Sequence, residues 1–355
     1  ENTSTIKNND KPTLNQTNTC ESIPRNLNEK EQTEYQGHTG KIVWLAEATK
    51  TRPDLLSGAK VVTMKNKSAD TNDILEVNKV NDLARNGSNI KIIIPTLKKP
   101  LKVLAVADGN FNTKKAMPSW AANLTYIIEA NPCKINQDNH QVHKAVLVDY
   151  QAKQIKPPPK SPMSAEVTSV VASVMHGLHL NNYLIELGLT APIDPNDTNP
   201  SYPLIESLTD SESLIKKSAT TNQPADEMLT GGLYILGELT DSKHINTSFI
   251  HGTLNPADPL TKVLKCNDTR KILIQTLDTN EITFDSKNNS AKYFKNQYQA
   301  HYACLCGNSK LDEDISQNST QEKLSDAVIS ISTYYAISYD HLSYCVNDNS
   351  NHTIL

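Results

Sequence analysis

The stretch Leu101-Lys-Val-Leu-Ala-Val-Ala-Asp-Gly-Asn-Phe111 constrains the fold more than any other part of the chain. Its apolar residues Val103 to Ala107 run without a break into Asp108 and Gly109. Pro100 bounds the run on one side and Gly109-Asn110 on the other, so it reads as a strand buried on both faces. A carboxylate at the end of such a strand has lost much of its water and needs a partner, a proton or a cation. A turn residue just past the strand is the simpler alternative for Asp108 taken alone.

The segments around this strand suggest one folded middle between polar ends. Residues 1–38 are rich in Asn, Thr, Glu and Lys with almost no apolar periodicity, and the expectation is a disordered tail. Residues 39–88 read as helical: one helix begins at Lys41, a second runs from Leu56 to about Met64 after Pro53, and a third spans about Asp73 to Arg85. From Ile90 the pattern turns to strands, at Lys91–Pro95, Val103–Phe111, Trp120–Ala130 and Val142–Ala152. A basic, proline-rich connector, Lys153 to Lys160, leads into the longest helix, about Pro162 to Leu187. Val167, Val170, Val171, Val174 and Leu178 mark one face of it at helical spacing. Ser161-Pro162 supplies a cap and a first-turn proline.

A strand then ends at Asp210, short helices follow over Ser211–Ala219 and Pro224–Leu239, a strand covers Ile245–His251, and a final helix opens at Asn255. Counted from Val103, three consecutive strands followed by helix–strand alternation imply a mixed five-stranded sheet flanked by helices. Its first part is an antiparallel meander and its second is joined by parallel crossovers. Residues 266–355 receive no assignment.

In such a sheet Asp108 and Asp210 emerge side by side at the ends of neighbouring strands. Glu166, in the first turns of the long helix, and Asp258, opening the last one, can reach the same edge. Four carboxylates converging without basic partners repel one another unless divalent cations sit among them. Oxygen ligands of this kind suit two Mg²⁺ or Mn²⁺ ions, which activate a water and stabilise the leaving oxygen of a phosphodiester. The structural alternative makes Asp108 and Asp210 turn residues, and Glu166 and Asp258 acids placed favourably at helix N-termini.

These residues also carry a resemblance. From about Trp44 to Leu264 the chain resembles the end of the Pol polyprotein of copia-type retrotransposons, a reverse-transcriptase tail followed by a ribonuclease H domain. Thr51-Arg-Pro-Asp-Leu55 is similar to the family's "TRPD" segment, Ala107-Asp-Gly-Asn-Phe111 to its "DAxF/W" strand end, and Ser164-Ala-Glu-Val167 to "SxxEAE" or "GAE". Leu208-Thr-Asp-Ser-Glu-Ser-Leu214 resembles "TDSxSL", and Asn255-Pro-Ala-Asp-Pro-Leu-Thr-Lys262 resembles "NxADxLTK". The resemblance implies an RNase H-like fold over residues 89–265, preceded by a thumb- or connection-like remnant over 39–88. It implies Asp108 and Asp210 holding the metals, Glu166 helping to position the ion of the attacking water, and Asp258 completing the leaving-group side. The implied reaction is hydrolysis of the RNA strand of an RNA–DNA hybrid during reverse transcription. The remainder of a Pol polyprotein is the implied protein partner, and a virus-like particle or the nucleus are implied locations beside the cytoplasm. The polymerase's catalytic aspartates find no counterpart here.

Charge runs against strong hybrid binding. The formal net charge is −4, and no arginine lies between Arg85 and Arg270. Residues 101–265 hold 13 Lys against 16 Asp and Glu, whereas phosphate contacts dominate hybrid affinity. Lys153, Lys156 and Lys160 of the connector, with Lys216 and Lys217, are the candidate phosphate contacts, or else solvated surface lysines. This imbalance favours the rival expectation, a decayed or repurposed copy that keeps the fold but serves as a non-catalytic interaction module.

Weaker signals complete the reading. His251, seven residues before Asp258, is a candidate auxiliary, in the loop where some RNase H enzymes carry a histidine that assists product release and copia-type members often do not. The pairs His176/His179 and His140/His143, and the set His301, Cys304, Cys306, His341 and Cys345, have ligand types for zinc, with surface or core roles as the alternative. Trp44 and Trp120 are expected in cores. Six cysteines are too sparse for a disulfide scaffold, and no apolar run approaches the roughly 18 residues of a membrane span, so a reducing intracellular setting is expected. The chain opens on Glu rather than Met, as a piece of a longer product would. Oligomeric state is not legible in it.

Overall fold

The computed structural model describes residues 24–113, 117–136, 140–190, 205–218, 227–262 and 267–284. Expectations on residues 1–23 and 285–355, the His301–Cys345 ligand set included, lie outside the described residues. Helix α1, Glu29–Val43, opens on a capping box in which the Asn28 side chain accepts from the Glu31 amide and the Glu31 carboxylate accepts from the Asn28 amide. The expected disordered tail is therefore corrected over residues 29–38. Only Tyr35, Thr39 and Ile42 of this helix are buried, a stripe too narrow to show as periodicity. A single π-helical turn, Trp44–Ala48, prolongs it. Trp44 stays 59% exposed, against the expectation of a core position.

A 3₁₀ turn at Pro53–Leu55 leads into α2, Leu56–Met64, and α3 follows over Thr71–Asn86 with a second capping box at Asp70 and Asp73. The Tyr35 hydroxyl donates to the Val62 carbonyl at 2.7 Å and ties α1 to α2. Residues Lys91–Pro95, expected as a strand, join no sheet. Ile90 and Ile92 pack against the core while Ile94 is 81% exposed, so the alternating apolar residues anchor an extended connector.

The sheet holds the five expected strands and two short additions. In chain order β1 is Leu101–Asn110, β2 Trp120–Glu129, β3 Lys134–Ile135 and β4 Gln141–Gln154. After helix α4, Pro162–Glu186, come β5, Ile205–Thr209, helix α5, Glu212–Ser218, helix α6, Glu227–Asp241, and β6, Ile245–Phe249. A 3₁₀ turn at Gly252–Leu254 precedes α7, Asp258–Thr261, then α8, Asn267–Thr279, and β7, Glu281–Phe284. Strand β6 thus stops at Phe249 rather than His251. The helix expected from Asn255 is a single turn beginning at Asp258.

Strand order is β3-β4-β2-β1-β5-β6, with β7 also pairing β4. The β1–β2 and β2–β4 pairs are antiparallel, and the β1–β5 and β5–β6 pairs are parallel. An antiparallel meander with its first strand central, extended by parallel crossovers, is the mixed arrangement expected from the order of the elements. Within β4, Thr125 pairs with Asp149 and Tyr126 with Leu147, which makes Val148 an extra residue. This bulge breaks strict alternation along the strand: Val146, Leu147 and Tyr150 are buried and Val148 is exposed.

Helix α4 covers β1, β2 and β5. A single buried cluster joins Leu104 and Val106 of β1, with Leu124, Tyr126 and Tyr150, to Tyr35, Ile42, Leu55, Val77 and Val80 of the N-terminal helices and to Leu273 and Phe284. Residues 39–88 therefore share their core with the sheet, and the expected boundary at 265 is corrected, since α8 and β7 belong to the same core. Arg52 donates through Nε and Nη2 to the Asp54 carboxylate at 2.8 and 2.9 Å, and Arg270 of α8 donates to the same carboxylate at 2.7 Å. Arg52 also donates to the Ala84 carbonyl at 3.0 Å. The segment that resembles "TRPD" is here a buried clasp between α3 and α8. Among the described residues no helix is long and apolar enough to cross a membrane.

Candidate metal centre

Parallel pairing of β1 with β5 brings Asp108, near the end of one strand, beside Asp210, just past the end of the other. Gly109 decides how close α4 can come. A Cβ at this position would lie 2.6 Å from the Ala165 carbonyl oxygen and 2.8 Å from the Glu166 nitrogen. Without one, the first turns of α4 press onto the strand, and the Gly109 amide donates to Glu166 Oε2 at 3.2 Å. The Ser169 hydroxyl donates to the Asp108 carbonyl at 2.6 Å and pins the same crossing.

The turn after β6 supplies the third side. The Asn255 amide donates to the Ala107 carbonyl at 3.2 Å, and its Oδ1 accepts from the Ala257 amide at 3.0 Å, which sets the start of α7 beside β1. Asn110 closes the turn by donating to the Thr261 carbonyl at 2.9 Å. Asp258 is 1% exposed, and oxygens of Asp108, Asp210 and Asp258 lie within 4.8 Å of one another. Three of the four expected carboxylates form this cluster. Glu166 stands next to it, held by Gly109, without joining the set of mutually close oxygens.

Crowding sets the protonation of these groups. Burial first, and the Asp210 charge second, push Asp108 up to about 7, while the Thr261 hydroxyl, which donates to Asp108 Oδ2, pulls the other way. Burial and the charges of Asp108 and Asp210 push Glu166 up to about 9. Burial and Asp258 raise Asp210.

The expectation of a cluster without basic partners is corrected at Lys262, whose ammonium donates to Asp258 Oδ1. Burial works against its charge, but the hydrogen bond and the three aspartates hold it above the usual lysine value. Both Thr261 and Lys262 lie in the Asn255–Lys262 segment quoted for the resemblance, and only an i to i+4 reading of Asp258 would have marked the lysine.

One acceptor is left over. Asp258 Oδ2 is buried and accepts no hydrogen bond among the described residues. A buried carboxylate oxygen without a donor, on a residue clustered with two further acidic groups, is the arrangement that a hard divalent cation satisfies. The donor set therefore fits Mg²⁺ or Mn²⁺.

The other expected residues scatter. His251 is exposed beyond β6, its Nδ1 accepting from the Thr253 amide at 3.4 Å, close in chain to Gly252, where a Cβ would lie 3.3 Å from Asp210 Oδ2. Lys153 is exposed next to the last residue of β4, and Lys156 and Lys160 are exposed on the connector. Lys216 is exposed and paired with Glu212 at 2.7 Å, so part of its charge is already answered. Lys217 falls within α5, with its side chain outside the described ones.

The histidine pairs hold no metal geometry. His176 contacts Thr125 at 3.3 Å and Asp149 at 3.2 Å, and His143 stacks on Phe284 while meeting the Glu129 carbonyl at 2.9 Å. Among the described residues, the three aspartates are the one group of His, Cys, Asp or Glu spaced to share an ion.

Neither a protein-family model nor a curated protein sequence matches the chain. Among solved structures it is similar to RNase H1 from Halobacterium salinarum, at 16% identity and a TM-score of 0.28 over 45% of this chain and 93% of that one. It is similar to the N-terminal RNase H domain of a Mycobacterium tuberculosis protein, solved as a maltose-binding-protein fusion, at 16% identity and a TM-score of 0.29 over 50% and 98%. A third likeness is to the prototype foamy virus protease-reverse transcriptase, at 10% identity and a TM-score of 0.25 over 53% of this chain and 21% of that one.

Proposed function

We propose that the chain is a metal-dependent phosphodiester hydrolase of the RNase H type, from the end of a copia-type Pol polyprotein, that cuts the RNA strand of RNA–DNA hybrids inside the cell. The observation that carries this is the buried cluster of Asp108, Asp210 and Asp258, with one Asp258 oxygen left without a donor. Asp108, Asp210, Asp258 and, beside them, Glu166 would hold two Mg²⁺ or Mn²⁺ ions. Bound there, the ions supply activation of a water and stabilisation of the leaving oxygen.

This chain's own residues set the geometry of that work. The Thr261 hydroxyl donates to Asp108 Oδ2 and fixes that carboxylate. The Gly109 amide turns one oxygen of Glu166 toward the strand and limits its rotation. The folded position of α7, set by Asn255, keeps Asp258 at the centre and away from bulk water. Lys153 near the end of β4, with Lys156 and Lys160 on the connector into α4, would offer phosphate contacts on the segment that leads to Glu166.

A second reading, a repurposed non-catalytic interaction module, draws support from the sparse basic surface, where Lys216 is already paired with Glu212. A substrate panel separates the two. The full chain is given RNA–DNA hybrid, duplex RNA, duplex DNA and single-stranded RNA, each end-labelled, in Mg²⁺ and in EDTA. The proposal expects cutting confined to the RNA strand of the hybrid and abolished by EDTA. A folded protein that binds hybrid and cuts nothing in either Mg²⁺ or Mn²⁺ leaves the second reading in place.

A further inference from the structure

We propose that Lys262 is the counter-ion of the metal-free centre, displaced from Asp258 when a divalent cation binds, so that this lysine sets how tightly the centre takes its metal. The inference rests on the metal-centre reading above. Asp258 is 1% exposed, its Oδ1 is engaged by the Lys262 ammonium, and its Oδ2 has no donor among the described residues. Lys262 differs in kind from the groups around it. Its side chain is 53% exposed, and its backbone is already extended beyond the single turn of α7. The ammonium can therefore swing into solvent without unwinding anything.

Electrostatics favour that swing. Oxygens of three carboxylates lie within 4.8 Å of one another, so an ion shared among them sits within a few ångströms of whatever holds Asp258. An ammonium and a doubly charged ion at that separation repel strongly, and more so in a buried site than in water. The metal thus replaces the lysine at Asp258, and its net affinity is lowered by the charge-assisted hydrogen bond that is broken. In the absence of metal the same bond keeps a buried carboxylate from standing wholly unpaired. Lys262 is on this account a positioning residue and a competitor. A lysine that only tied α7 together would act differently, since its removal would loosen Asp258 and leave metal affinity unchanged or weaker.

The test is a Mn²⁺ titration of the full chain, with free ion followed by electron paramagnetic resonance, for wild type, Lys262→Met and Lys262→Arg. The expected result is binding on the order of tenfold tighter in Lys262→Met, the worth of one charge-assisted hydrogen bond, and near wild-type binding in Lys262→Arg. Unchanged or weaker binding by folded Lys262→Met overturns the proposal while leaving the metal centre intact. No Mn²⁺ binding by any of the three removes the metal-centre reading, and this inference with it.

A second measurement needs no substitution, should Lys262→Met fail to fold. Acetylation of Lys262 in the wild-type chain, read by peptide mass spectrometry, is expected to quicken several-fold when Mg²⁺ saturates the protein. The exposed, carboxylate-paired Lys216 serves as the internal reference. Equal rates for Lys262 with and without Mg²⁺ overturn the proposal.

Discussion

Replacing Asp108 with Asn removes a buried charge while keeping the side chain's size and an oxygen for the Thr261 hydroxyl to reach. In the folded, metal-free protein, burial and then the neighbouring Asp210 raise Asp108 from the ordinary 3.8 to about 7. The folded state therefore holds that proton more tightly than the unfolded chain does. The stability the proton brings is fully present below about pH 4 and is lost as pH climbs to about 7. At roughly 1.4 kcal/mol per pKa unit, the rise from 3.8 to about 7 corresponds to about 4 kcal/mol. Asp108→Asn escapes this penalty. In EDTA it should be more stable than wild type by about 4 kcal/mol at pH 8, shrinking to about 2 kcal/mol at pH 5. Urea denaturation followed by circular dichroism at the two pH values measures the difference. Saturating Mg²⁺ should stabilise wild type strongly and the variant little, because the ion meets one carboxylate fewer. Equal stability of the two proteins at pH 8 in EDTA would refute the reasoning, since it would mean that Asp108 ionises without opposition.

Further predictions follow from other contacts. Gly109→Ala places a Cβ against the backbone of Ala165 and Glu166, which cannot yield as a side chain tip can, so the unfolding free energy from urea denaturation should fall by about 1–3 kcal/mol and hybrid cleavage should drop further than stability explains. Asp54→Ala leaves Arg52 and Arg270 with no shared carboxylate in a buried clasp, and equilibrium unfolding should show a loss of about 3–5 kcal/mol. Tyr150→Phe removes a 2.6 Å bond from the tyrosine hydroxyl to the Ala46 carbonyl, costing about 1 kcal/mol in the same measurement with cleavage unchanged. Metal affinity, measured by calorimetry between pH 6 and 9, should rise with pH, because protons leave Asp108 near 7 and Glu166 near 9 as the ion enters.

What the sequence shows of this molecule depends on how local the physics is. The strands β1, β2, β4, β5 and β6 are legible because continuous or alternating apolar runs, cut by Pro, Gly and Asn, leave little choice of structure. The long helix α4 is legible because its valines recur at helical spacing under a clear Ser161-Pro162 start. Carboxylates at strand ends and helix starts could be placed on one sheet edge from topology alone, and the structure gathers Asp108, Asp210 and Asp258 there with Glu166 alongside.

The features that could not be read are long-range. Whether Lys91–Pro95 pairs depends on a neighbour that the sheet does not provide. The pairing of β7 with β4 joins residues some 140 positions apart, and nothing in either segment announces it. Helix α1 buries too few residues for periodicity to reveal, although its Asn28/Glu31 box was there to be noticed. Lys262 lies in a segment whose sequence does not announce its chemistry, because α7 is a single turn that leaves the lysine free to fold back onto Asp258.

The measurement that bears most directly on the central claim is single-turnover cleavage of a 5′-labelled RNA strand annealed to DNA, by the full wild-type chain and by Asp108→Asn, each shown to be folded. The account predicts Mg²⁺-dependent cutting by wild type and a loss of at least a hundredfold in the variant, with hybrid binding retained by both. Equal rates in the two folded proteins would contradict it, because the carboxylate cluster would then have no part in the reaction.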